Sequence, residues 1–162
     1  MPTIKVTEPS PGKVTPVFAQ VTTSWTTLVE APLFSKVDPS NRFLNRDPGD
    51  PDRALLPGLV FFDTPIRVFN HTGAPGSSDG NSAWLKVRVL DHTGAAFELA
   101  TVFVPPQETA FASLQALSLI RMPTWSNGQR LQVSATHNNR LTLAWSYTLS
   151  VLADHFISDT DL

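Results

Sequence analysis

The chain has 162 residues, 41% hydrophobic and only 16% charged, with a formal net charge of −2, which suits one domain with its own core. Without runs of Lys or Arg it lacks the footprint of a protein that binds nucleic acid by neutralising phosphates. The absence of cysteine excludes disulfides, thiolate metal sites and a thiol nucleophile.

No stretch reaches the roughly 18 apolar residues of a membrane-spanning helix, and MPTIKVTEPSPGKVTP has no apolar segment of the secretory kind. Nine of the 14 prolines precede residue 58, and each fixes φ and removes a backbone donor. Residues 1–16 therefore read as an extended arm. Residues 32–57, PLFSKVDPSNRFLNRDPGDPDRALLP, read as a long insertion unable to supply a regular ladder. Its apolar residues Phe34, Phe43, Leu44, Leu55 and Leu56 either cover this chain's own core or dock on another chain.

Strands are expected at 17–21, 25–30 and 59–70, the last at an edge or bulged because Pro65 cannot donate to a ladder. In Trp84-Leu85-Lys86-Val87-Arg88-Val89-Leu90 the apolar and charged residues alternate, the period of a half-buried strand. His92-Thr93-Gly94-Ala95 then supplies a hairpin turn into a second strand over 97–104. In 109–121 apolar residues recur every three positions, which suits either a short helix or two short strands with a kink; the flanking prolines bound either element, and the two kinked strands are the expectation. Leu131, Val133 and Ala135 alternate with polar residues, and Leu141, Leu143, Trp145, Tyr147, Leu149 and Val151 form one apolar row. About eight strands separated by turns predict an all-β chain, an antiparallel β-sandwich or jelly roll over residues 17–153, with residues 154–162 as a tail.

Candidate chemistry is sparse. His71, His92, His137 and His155 show no metal-ligand spacing. Asp47, Asp50 and Asp52 are interrupted by prolines and lack the closing acid of a calcium loop, so they read as turn residues. Glu30, Glu98 and Glu108 are the acids available for a carboxylate pair, and no G-x-S-x-G elbow is present. Asn70-His71-Thr72 matches a glycosylation sequon without a secretory context. Of the tryptophans, Trp145 falls in the core row, and Trp125, in MPTWSNGQ, is the candidate surface aromatic. No cofactor or metal is expected.

Residues 82–152 resemble a β-sandwich module of tailed-bacteriophage structural proteins. Val104-Pro105-Pro106, Gly128-Gln129-Arg130-Leu131-Gln132-Val133 and the strand from Leu141 to Tyr147 stand where that module has a V/I-P-P turn, a GD(R)LQV strand and a closing V-x-V-x-Y strand. VTTSWTTLVEAP resembles its opening strands. The resemblance carries no catalytic residue. It implies a non-enzymatic virion protein, assembled in the host cytoplasm, that decorates or cements the capsid as a homo-oligomer such as a trimer. Its partners would be the major capsid protein or other virion proteins, with neither nucleic acid nor membrane. A tail, neck or fibre component, or a carbohydrate-binding sandwich using Trp125 or Trp84, are the alternatives. On this reading Ile4, Val6 and Val14 of the arm, with Phe34, Phe43, Leu44, Leu55 and Leu56 of the insertion, make the contacts between chains.

Overall fold

The computed structural model describes residues 6–7, 14–74, 80–114 and 118–151. In chain order the strands are β1 (Val6–Thr7), β2 (Val14–Gln20), β3 (Thr26–Glu30), β4 (Leu33–Val37), β5 (Arg46–Asp47), β6 (Asp50–Phe62) and β7 (Ile66–Asn70). They continue as β8 (Ala83–Leu90), β9 (Ala96–Val104), β10 (Thr109–Ala112), β11 (Ser118–Arg121), β12 (Arg130–Ala135) and β13 (Leu141–Val151). The fold is the expected all-β sandwich of two sheets, one of nine strands and one of four in the order β3-β12-β8-β9.

The nine-stranded sheet is built around β13. One side of β13 pairs with β2 from Thr142 to Thr148. The other side pairs with β7 from Leu141 to Ala144 and with β6 from Tyr147 to Val151. The single strand expected over 59–70 is thus broken at Asp63-Thr64-Pro65, and both halves run along β13 in the middle of the sheet. β10 and β11 repeat this kinked lane outside β7 and β6, the two short strands expected over 109–121. Alternation then places Val60, Val68, Leu85, Val87, Leu131, Val133, Leu141 and Leu143 in one buried core between the sheets.

Residues 32–57 depart from expectation, because they form ladders rather than a loop. β4 pairs with β6 from Leu33↔Pro57 to Val37↔Arg53, and β5 also pairs with β6. The prolines are tolerated because Pro57 lies where β4 ends its pairing, one residue before β13 and β11 begin theirs at Gly58. Pro16 likewise sits in β2, which among the described residues pairs on one side only, with β13. Because β2 begins at Val14, the last residues of the expected arm belong to the sheet. Phe34, Phe43, Ala54 and Leu56 form a second small core against Leu149 and Val151.

The turn after β4 is held by one buried carboxylate. Asp38 accepts the N–H groups of Arg42 and Phe43 at 3.1 and 3.0 Å and pairs with Arg46 Nη1 at 2.5 Å. Burial pushes the Asp38 carboxyl up, but the hydrogen bonds from Phe43, Arg42 and Arg46, with the Arg46 charge, hold it below the ordinary aspartate value. The folded state therefore binds the proton less readily than the unfolded chain. The resulting stability is complete above the ordinary carboxylate range and is lost as pH falls through the depressed folded value. Urea unfolding of Asp38→Ala at neutral pH is expected to show a loss of roughly 3 kcal/mol, from an unpaired guanidinium and two orphaned N–H groups. The acid limb of its stability profile should be shallower than that of the parent.

Glycine is required where backbones touch. A Cβ on Gly58 would collide with the Pro32 carbonyl oxygen and lie 2.9 Å from the Phe34 ring. Gly58→Ala is expected to cost about 3 kcal/mol, the upper part of the range for overpacking, measured by the same unfolding curves.

Candidate functional site

Among the described residues no three His, Asp or Glu side chains converge on a metal-sized site. Glu30 lies beside a cleft, Glu98 faces Arg88 across β8 and β9, and Glu108 is exposed in the loop before β10. Asp47 and Asp50 accept the backbone N–H groups two residues ahead, of Gly49 and Asp52, at 2.9 and 3.0 Å. They serve as turn residues. Asn70 is fully buried; its amide donates to the carbonyls of Asn81 and Val104 at 2.8 and 3.0 Å and its oxygen accepts from Thr72. The sequon asparagine is thus consumed inside the fold.

The expected contact residues separate into groups. Phe34, Phe43, Leu55 and Leu56 are buried within this chain, so they are not available to a neighbour; the ladders of residues 32–57 turn them inward. Val14 and Leu44 are exposed. Val6 pairs with Leu33 in the parallel β1–β4 ladder, its side chain outside the described set, and Ile4 lies outside the described residues. Trp125 is not a free platform, because the His92 imidazole stacks on its ring at 3.8 Å between centroids and 6° between planes. That contact pins the β8–β9 hairpin, whose turn is tied by Asp91 accepting from Thr93 and Ala95. The Thr93 hydroxyl, the largest influence, and the turn N–H groups outweigh desolvation and hold the Asp91 carboxyl below its ordinary value.

Three surfaces remain. The outer face of the nine-stranded sheet carries two transverse rows, Phe18↔Ala144↔Arg67↔Phe111 and Val14↔Thr148↔Phe61↔Ser118. Phe18, Phe111 and Phe61 are 76%, 62% and 43% exposed. With about 200 Å² per aromatic side chain they present roughly 350 Å² of apolar surface in all, the size of the largest patch on an ordinary monomer. The small residues of β13 between them leave a trough of about 360 Å³ edged by Phe18, Arg67 and Phe69. The row pattern was visible only in part: Thr142, Ser146 and Thr148 read as a polar face, and the aromatics flank it from other strands.

The second surface is the outer face of the four-stranded sheet. Trp84 and Phe103 are exposed there, tilted against each other at 5.0 Å. Further along, Arg88 lies 4.0 Å over the Trp25 ring and donates to Gln132, which donates to Thr27. The third is a cleft of about 410 Å³ between β3 and the end of β13, lined by residues 27–32, Arg121, Tyr147 and Leu149. Gly128 packs directly on the Ala31 carbonyl and on Arg121 Cβ, which fixes that end of the cleft.

No family model matches the chain, and no curated protein does. Among solved structures it is similar to the CBM22-1 xylan-binding domain of Paenibacillus barcinonensis Xyn10C. The two are 13% identical, with a TM-score of 0.29, over 89% of this chain and 97% of that domain. A likeness of this degree carries nothing about function.

Because Phe18 and Phe111 are mostly exposed and belong to neither core, Phe18→Ser with Phe111→Ser is expected to leave thermal unfolding nearly unchanged, within about 0.5 kcal/mol per site. Binding of an apolar dye to the folded protein should fall in the same variant.

Proposed function

We propose that the chain is a non-enzymatic structural protein of a tailed-phage virion, a decoration or cement protein that adheres to neighbouring chains. The observation that carries this reading is the apolar outer face of the nine-stranded sheet, with Phe18, Phe61 and Phe111 exposed around the small residues of β13. The resemblance of residues 82–152 to phage structural modules supplies the setting. Adhesion then works through a rigid, preformed face, which binds without the entropy loss of ordering a loop. The face offers about half of the roughly 800 Å² per partner of a standard stable interface. The polar residues around the aromatics supply the rest of this chain's share, against the major capsid protein or a further copy in a homo-oligomer. Residues 32–57 act in this mechanism by supporting the sheet from within, not by reaching out.

Immunogold microscopy of source particles, with an antibody raised against the recombinant protein, tests the assignment. Gold spread over the heads is the expected result. Gold confined to the tail or neck would transfer the same adhesion mechanism to a tail, neck or fibre component, and unlabelled particles would overturn the virion reading. Phe18→Asp with Phe111→Asp should reduce attachment of the purified protein to stripped particles by at least about tenfold, since two charges would have to be desolvated at the contact.

A second reading rests on the exposed Trp84–Phe103 pair. Aromatic faces of this kind stack on sugar rings, and Lys86 lies beside them on β8. Glycan-array binding lost on Trp84→Ala would favour it over adhesion to protein; an array without signal would remove it.

A further inference from the structure

The cleft beside β3 has three properties that are independent of the adhesive face. First, β3 is an open edge: among the described residues it pairs with β12 alone. An unpaired strand edge presents a row of N–H and C=O groups that an added strand can satisfy. Second, the cleft runs along that edge, because six successive residues, 27–32, line it, with Tyr147 and Leu149 of the facing sheet as the opposite wall. The register of β3 on β12 shifts between Leu131 and Gln132, leaving Leu28 outside the regular pairing as an apolar surface of the cleft.

Third, its charges do not balance. The Arg121 side chain is 7% exposed, and its Nη2 donates to the Ser126 carbonyl at 2.9 Å. Its Nη1 lies 3.6 Å from Glu30, while Arg130 Nε is 3.8 Å from the same carboxylate. The Nε atoms of both arginines are buried without a partner among the described residues. Two guanidinium groups thus share one half-exposed carboxylate, at distances longer than a hydrogen bond. A buried cation in this position is completed by a second carboxylate.

We infer that the open edge of β3 and its cleft dock an extended strand of another protein chain, one bearing a carboxylate side chain between apolar residues. Backbone bonds to β3 supply the affinity, Leu28, Tyr147 and Leu149 take the apolar side chains, and Arg121 reads the acid. A strand is favoured over a small acid because the cleft wall is itself a strand with one edge open. The site is tested on the isolated protein, so its outcome is separate from whether particles carry the protein.

The experiment is a synthetic array of nine-residue peptides, probed with the full chain and with Arg121→Gln and Glu30→Gln. Retained peptides are expected to carry Asp or Glu flanked by apolar residues. Arg121→Gln should weaken them by at least about tenfold. Glu30→Gln, at a half-exposed position, should strengthen them severalfold by removing the competing carboxylate, and it keeps the test decisive if Arg121→Gln does not fold. The proposal is overturned if no peptide is retained, if acid-free peptides bind equally, or if Glu30→Gln weakens binding. Complete displacement of the peptides by millimolar acetate would also overturn it, by showing that a free carboxylate fills the cleft.

Discussion

The dipeptide Ala31-Pro32 carries the chain from the four-stranded sheet into the nine-stranded one, and it is held between two glycines. Gly58 of β6 packs on the Pro32 carbonyl, and Gly128, before β12, packs on that of Ala31. Neither position has room for a Cβ, so two strands and the crossover between them meet at backbone distance. Much follows from this clamp. It starts β4 alongside β6, and Gly128 sets Arg121 against the end of β3. The cleft and its unbalanced charges are therefore products of a close backbone approach, not of a flexible loop.

β6 extends the effect. Its first half pairs with β4 and β5 around the small core of Phe34, Phe43, Ala54 and Leu56, and its second half lies between β13 and β11 in the main sandwich. Leu149 packs on both cores. A strand common to two cores couples them, so the smaller one adds to the cooperative unit. The same coupling explains why Phe34, Phe43, Leu55 and Leu56 offer nothing to a neighbour: they are already buried inside the chain, and of the expected contacts in 32–57 only Leu44 faces outward. What the molecule presents outward is a flat aromatic face on one sheet, an aromatic and polar face on the other, and an open strand edge.

Much of the sandwich was legible in the sequence, because period-two alternation reports burial directly. β8, β9 with its turn, and β13 stand where alternation placed them, whereas the period-three pattern of 109–121 leaves a helix open and only the pairing with β7 and β6 decides for the strands β10 and β11. Residues 32–57 were not legible, since proline counts against a ladder only where its missing N–H is needed. Pro16 and Pro57 sit where it is not. The site was harder still. Phe18, Phe61 and Phe111 belong to three strands far apart in the chain, and only the register across β13 makes them neighbours. Trp125 is the candidate surface aromatic because its neighbours in sequence are turn residues, although packing over the sandwich end is the favoured reading; the residue stacked on it, His92, comes from a distant hairpin.

The pairing of β2 with β13 joins the first long strand to the last, with Val14 opposite Thr148. The start of β2 and the end of β13 therefore lie side by side. A force applied between these two points would open the β2–β13 ladder one hydrogen bond at a time, as a zipper is peeled, instead of loading all of its bonds in shear. The sandwich is thus mechanically weak when drawn apart between the start of β2 and the end of β13, and strain transmitted through its broad faces avoids that route. For the adhesive role proposed above, the direction from which load arrives matters as much as the depth of the core.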